Sequence, residues 1–163
     1  MEDTKKMSAA ALENREQTLE IIKELEKGFS DPGKTLGYGT AGFRDKASVL
    51  ERALFRVGLV VAIRAKQVGT CGVMITASHN GHEDNGVKII EPDGSMLIQR
   101  WEGLAELIVN HSNIVELMST LGASTIKQYT LGVDLFSNQP VPVEPKAQSL
   151  QEIQKDKKEL KMP

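Results

Sequence analysis

Apolar positions change their period several times along the chain, and each change marks an element. Ile22, Leu25 and Phe29 recur at helical spacing among Glu and Lys, which predicts a helix over residues 8 to 28. Gly28 and the Ser30-Asp31-Pro32-Gly33 cluster end it. Leu36 to Arg44 is a glycine-rich extended segment. A second helix is predicted over residues 50 to 66. Leu54, Val57, Val61 and Ala65 form one apolar stripe there, and Phe55, Leu59 and Ile63 form another. A helix apolar on two faces is expected to be buried against a sheet or another helix. Gly72-Val73-Met74-Ile75-Thr76 is a short apolar run between Gly69 and a polar loop, the signal of a buried strand. Val87 to Ile90 predicts the next strand, and Pro92-Asp93-Gly94 a turn. Trp101, Leu104, Ala105 and Ile108 open a helical stretch that Ile114, Leu117 and Leu121 continue after a break near residues 110 to 113.

The order helix, strand, loop, strand, helix predicts an α/β class with a mixed sheet between helices. About four strands and two or three helices are expected between residues 36 and 121. The character changes after Leu121. Leu131 to Phe136 reads as one more strand, Pro140 to Pro145 alternates proline and is expected to be extended, and Gln148 to Lys161 is a charged tail, extended or helical. Three parts result: residues 1–35, an N-terminal helix and linker; 36–121, the core; and 122–163, a divergent strand, proline-rich linker and charged tail.

Composition narrows the function classes. The 163 residues carry a formal net charge of −2, which gives no reason to expect nucleic acid as a partner. No apolar run reaches membrane-spanning length and the first residues lack a secretory core, so no membrane partner and a cytoplasmic location are expected. The single cysteine, Cys71, excludes an internal disulfide and reads as a small core residue. Aromatic residues make up 4% of the chain, so the core must rest on Val, Ile, Leu, Met and Ala.

Reactive groups concentrate in one place. Thr76-Ala77-Ser78-His79-Asn80 follows the predicted strand, and Glu83-Asp84-Asn85-Gly86-Val87-Lys88 leads into the next. A serine hydroxyl is a poor nucleophile until it is positioned or activated. Ser78 would be anchored by its strand, His79 and Asn80 can donate hydrogen bonds to an oxyanion, and Lys88 would face back across the loop. A phosphoryl group on Ser78 would bring about two negative charges at neutral pH and call for Mg²⁺ or a cationic side chain. A plain polar turn is the bland alternative, since Ser, His, Asn and Gly are common turn residues. Gly37, Gly39 and Gly42 admit two readings: tight turns, or main-chain N–H groups approaching a phosphate with Arg44 as charge partner. The segment is neither a dinucleotide fingerprint nor a P-loop, because no clean apolar strand precedes it and no Gly-Lys-Ser/Thr ends it. His79, His82 and Glu83 lack the further ligands of a closed metal site.

Tyr38-Gly39-Thr40-Ala41-Gly42-Phe43-Arg44, followed by the Thr76–Asn80 and Glu83–Lys88 motifs, resembles the start of an α-D-phosphohexomutase. Within that superfamily it is most similar to the eukaryotic phosphoacetylglucosamine mutases. The likeness covers about residues 36 to 100, extending at most to 121. The resemblance implies the superfamily's first-domain fold and an isomerase activity. That activity interconverts N-acetylglucosamine 6-phosphate and N-acetylglucosamine 1-phosphate on the route to UDP-N-acetylglucosamine. It implies a phosphoserine at Ser78 that also ligates Mg²⁺, an active-site histidine at His79, and basic residues at Arg44 and Lys88 with a proton-transfer or charge-stabilising role. The hexosamine phosphate is the implied partner.

Departures from the family pattern shape a further expectation. Gly81 stands where the family usually has proline. Gly132-Val133-Asp134 is followed by Leu135-Phe136-Ser137, so the arginine of an Asp-Thr-Arg loop is absent. The sequence contains no Asp-Gly-Asp-Ala-Asp-Arg metal loop, and the sugar-selecting and distal phosphate-binding loops are missing. The isolated chain is therefore expected to be a truncated first domain with little or no mutase activity, and to self-associate through its uncovered cleft face. The alternatives are a non-catalytic fragment of the same family and an unrelated α/β binding domain.

Overall fold

The computed structural model describes residues 9–77 and 79–121. Ser78, the predicted strand over 131–136 and the two segments predicted after it lie outside the described residues. Seven elements follow one another: α1 Ala9–Glu26, β1 Phe43–Lys46, α2 Ala47–Val68, β2 Gly72–Ile75, β3 Asp84–Ile90, α3 Gln99–Asn110 and α4 Ile114–Leu121. The sheet order is β1-β3-β2, and both pairings are antiparallel. The α/β class read from the apolar pattern is the architecture observed, with three described strands set among helices.

Strand alternation divides the sheet into two faces. Phe43 lies opposite Val87, and Val73 and Ile75 lie opposite Ile89 and Val87. Phe43, Val87 and Ile89 are buried, under α2, which packs on β1 and β3. Trp101, Leu104, Ala105 and Ile108 repeat at helical spacing on α3 and complete the core beside α2.

β3 begins three residues earlier than the apolar run, at Asp84. Its polar start is stabilised by the ladder, with Lys46, Asp45 and Arg44 opposite Asp84, Asn85 and Gly86. β2 departs further from expectation. The run at residues 72 to 75 predicts a buried strand, yet Val73, Met74 and Ile75 are 46%, 44% and 56% exposed. The reason is position: β2 pairs only with β3 among the described residues, and α2 covers the other two strands.

Both apolar stripes of α2 pack on the core, with Val57 and Ile63 buried and Leu54, Phe55, Leu59 and Val61 partly buried against them. The buried face of the helix holds Leu50, Ala53, Val57, Val60 and Ile63, and with them Arg52, Arg56 and Arg64. Each arginine head group has partners that make burial tolerable. Arg56 Nη1 donates to the carbonyls of Ile108, Val109 and His111 at 3.2, 2.9 and 2.5 Å, which caps the C-terminus of α3. Its Nη2 bonds Glu26 of α1 at 2.5 Å, and Arg52 Nε bonds the same oxygen at 2.9 Å. Arg64 grips Glu91 through Nε and Nη2 and lies 5.2 Å from the Trp101 ring centre. The predicted break falls where expected: His111 ends α3, and Asn113 Oδ1 accepts from Glu116 N to start α4. Arg15 of α1 donates to the Ser119 carbonyl of α4.

Candidate active site

The glycine-rich segment reaches β1 through a close approach. Gly42 has φ +72°, and a Cβ there would lie 2.1 Å from the Val87 carbonyl oxygen and 2.9 Å from Lys88 Cγ. Glycine at this position therefore lets the segment lie directly against β3. Three side chains fix the rest of it. Glu106 Oε1 accepts from Tyr38 N at 2.7 Å, Asn110 exchanges two bonds with the main chain of Leu36, and the Tyr38 hydroxyl accepts from Ile89 N at 2.9 Å. Burial pushes the Tyr38 hydroxyl above its ordinary pKa. Sequence patterns gave no hint of Glu106 and Asn110, which sit four residues apart on α3 and read as ordinary polar positions.

Register then places the basic pair. Arg44 lies opposite Gly86, and Lys88 lies two residues further along β3, opposite Met74. Both occupy the face of the sheet away from Phe43, Val87 and Ile89. Gly86 is buried, and a Cβ on it would lie 3.1 Å from the Thr76 carbonyl oxygen and 3.2 Å from Arg44 Cγ. Its lack of a side chain lets Arg44 cross β3 to the loop after β2.

There Arg44 Nη2 donates to the Ala77 carbonyl at 2.7 Å. Asn80 N donates to the same oxygen at 3.2 Å, which brings the turn at His79 and Asn80 back to Ala77. The carbonyl immediately before Ser78 thus has two donors, one a guanidinium. His79 and Asn80 are exposed in this turn, and Lys88 is half-buried beside Gly42. The structure brings Arg44 to the loop and puts Lys88 on the same sheet face. No hydrogen bond joins His79 to either of them.

Other candidates recede. Among the described residues no group of three or more His, Cys, Asp or Glu side chains is placed to hold a metal ion. Those residues do not by themselves fit Mg²⁺, which needs an octahedral oxygen set. Burial, and then Glu91, push the Cys71 thiol up, so it is a poor thiolate near neutral pH. A groove of about 340 Å³ lies between α1, α2 and α4, lined by Asn14, Thr18, Ile22, Leu59, Ile63 and Met118 among others, and none of the candidate residues borders it. No described helix is long and apolar enough to cross a membrane.

A polar loop follows β2, and Arg44 and Lys88 share one sheet face. Residues 57–113 match the family described as phosphoglucomutase/phosphomannomutase, alpha/beta/alpha domain I. That stretch carries sequence of the first domain of the phosphohexomutases. Its relatives narrow the branch. The phosphoacetylglucosamine mutase of Arabidopsis thaliana is 46% identical over 107 residues, 64% of this chain and 19% of that protein. A crystal structure of an N-acetylglucosamine-phosphate mutase in its substrate complex matches with a TM-score of 0.60 at 45% identity, over 66% of this chain and 21% of that one. The Aspergillus fumigatus N-acetylphosphoglucosamine mutase in complex with GlcNAc-6P and magnesium matches with a TM-score of 0.55 at 38% identity, over 66% and 21%. The chain thus spans about one fifth of the length of the relatives it matches.

Proposed function

We propose that this chain is the phosphoryl-carrying segment of a phosphoacetylglucosamine mutase. Ser78 would carry the phosphoryl group exchanged between N-acetylglucosamine 6-phosphate and N-acetylglucosamine 1-phosphate. The observation that supports this best is the doubly held Ala77 carbonyl, which anchors the residue next to Ser78 through Arg44 and Asn80. In the forward transfer the Ser78 Oγ–P bond breaks, a bond forms from phosphorus to the free sugar hydroxyl, and that hydroxyl's proton ends on the serine. The resulting sugar bisphosphate returns its other phosphoryl group to Ser78 by the reverse exchange. Such transfers depend mainly on alignment and charge stabilisation. Arg44 positions the loop and Lys88 adds positive charge on the same face. His79 donates to a phosphoryl oxygen or moves the proton.

A phosphate on Ser78 would supply one contact to Mg²⁺. The Asp-Gly-Asp-Ala-Asp-Arg motif is absent from the sequence, and the described residues offer no substitute cluster. No step is derived through the metal. A second reading is a non-catalytic or regulatory fragment of the same family. Both readings place the core at residues 36–121, between an N-terminal part at 1–35 and a divergent part at 122–163, in the cytoplasm. The exposed apolar edge of β2 supports self-association of the isolated chain.

The test has two arms. The purified chain, assayed with Mg²⁺, N-acetylglucosamine 6-phosphate and a hexose bisphosphate, is expected to show no turnover above the Ser78→Ala control. Residues 36–121 exchanged for the matching segment of a full-length relative are expected to retain activity, and Ser78→Ala in that chimera to remove more than about 10³-fold of kcat. A folded chimera with no activity contradicts the mutase reading. Robust turnover by the chain alone contradicts the expectation that it is inactive by itself.

A further inference from the structure

Two Asn-Gly dipeptides occur in the reactive segment, Asn80-Gly81 and Asn85-Gly86, and their surroundings are opposite. We propose that Asn80 is a site of spontaneous deamidation, and that the sheet shields the identical dipeptide at Asn85. In this reaction the main-chain nitrogen of the following residue attacks the side-chain amide carbon. A new C–N bond closes a five-membered succinimide, the bond to the amide nitrogen breaks, and ammonia leaves carrying the proton lost by the main-chain nitrogen. Water then opens the ring at either carbonyl, giving aspartate or isoaspartate. One water is consumed and one ammonia released for each asparagine, with no change of oxidation state.

The attack needs a main-chain N–H free to lose its proton and a backbone free to rotate towards the amide carbon. Glycine meets the second need best, because it has no Cβ to obstruct the ring. Asn80 and Gly81 are both exposed and lie outside every strand. A Cβ on Gly81 would meet nothing within 4 Å. The Gly81 carbonyl accepts from Asp84 N at 3.0 Å, while its own N–H has no hydrogen bond among the described residues. The Asn80 side chain likewise has no hydrogen bond among the described residues.

Asn85-Gly86 has the same chemistry under constraint. Both residues belong to β3, opposite Asp45 and Arg44 of β1. Gly86 is buried, its carbonyl accepts from Thr76 N at 2.9 Å, and its N–H already donates to Asn85 Oδ1 at 2.9 Å. Ring closure would need the extended backbone to turn. The ladder on the β1 side and the Thr76 contact would both have to open first.

Conversion of Asn80 places a carboxylate beside His79 and two residues after Ser78. If Ser78 carries phosphate, as proposed above, that new charge repels the phosphoryl group. Isoaspartate also inserts a methylene into the main chain of the turn. Ageing would then disable the loop while leaving the sheet intact.

Peptide mass spectrometry of the full chain, incubated folded at physiological temperature and mildly alkaline pH, tests this through the mass change of amide to acid. Labelling by an isoaspartyl methyltransferase marks the second product. Asn80 is expected to convert at least about tenfold faster than Asn85, the ratio for a local opening cost of about 1.4 kcal/mol or more. In urea the two rates are expected to converge. Gly81→Pro, which removes the attacking N–H, is expected to stop conversion at Asn80 and leave Asn85 unchanged. Equal rates in the folded chain, or conversion at Asn80 that persists in Gly81→Pro, would overturn the proposal. So would an Asn80 that stays intact while the urea-unfolded chain converts. The readout is independent of mutase activity, so it stands or fails apart from the functional reading.

Discussion

β3 has two neighbours of very different character. On one side β1 and the glycine-rich segment lie under α2, with Phe43, Val87 and Ile89 buried and Tyr38, Glu106 and Asn110 tying the approach. On the other side β2 shows Val73, Met74 and Ile75 to solvent and has no further partner among the described residues. The reactive loop follows the second side. It is steadied across the sheet, by Arg44 reaching from β1 over Gly86 to the Ala77 carbonyl. The well-packed half therefore supplies most of the buried core and the Arg44 restraint on the loop, while the open edge is held by its ladder to β3 and by Thr76 N on the Gly86 carbonyl.

Substitutions of large apolar residues on the two sides should differ most. Trp101→Ala, deep in the core, is expected to lower unfolding stability by about 3–5 kcal/mol, as read by urea denaturation. Ile75→Lys on the open edge is expected to change it by no more than about 0.5 kcal/mol. It should also reduce concentration-dependent association in sedimentation. A large loss at Ile75 would mean that β2 is covered, and the contrast between the two sides would fail.

Two glycines sharpen the contrast at smaller scale. Gly42→Ala brings a Cβ against the Val87 oxygen at a left-handed φ, and should cost about 1–3 kcal/mol or more. Gly58→Ala, in the middle of α2 with nothing near the added Cβ, should instead stabilise by about 0.5–1 kcal/mol. The same denaturation series measures both signs.

The smallest effect concerns the end of β1. Asp45 is bonded by Lys34, which holds its carboxyl below the ordinary value. A depressed folded pKa gives stability that is present above the unfolded value and is lost as pH falls through the folded one. An NMR titration should find the Asp45 midpoint below the usual carboxylate range, and Lys34→Ala should move it back up.

Much of this was legible in the apolar pattern. The helical repeats of α1, α2, α3 and α4, the break at Asn110 to Asn113 and the turn after Ile90 all follow from local residue choice. What escaped was non-local. The four-residue apolar run of β2 reads the same whether a neighbour covers it or not, so periodicity could not show it to be exposed. The buried arginines of α2 look like solvent positions until the carbonyl ends of α3 and the carboxylates of Glu26 and Glu91 are brought against them. The candidate site divided in the same way. Arg44 and Lys88 were identifiable by their motifs, and their common sheet face became evident only from the β1–β3–β2 register. The hold of Arg44 on the Ala77 carbonyl depends on a small residue at Gly86, which the sequence offers as one glycine among many.

Phosphopeptide mapping of the chimera, after incubation with a hexose bisphosphate, tests the proposal that Ser78 carries the phosphoryl group. One phosphorylated residue is expected within positions 36–121, Ser78, with its label exchanging into N-acetylglucosamine phosphate on addition of substrate. An active chimera whose phosphate sits on another residue, or which turns over with Ser78 unmodified, would contradict it.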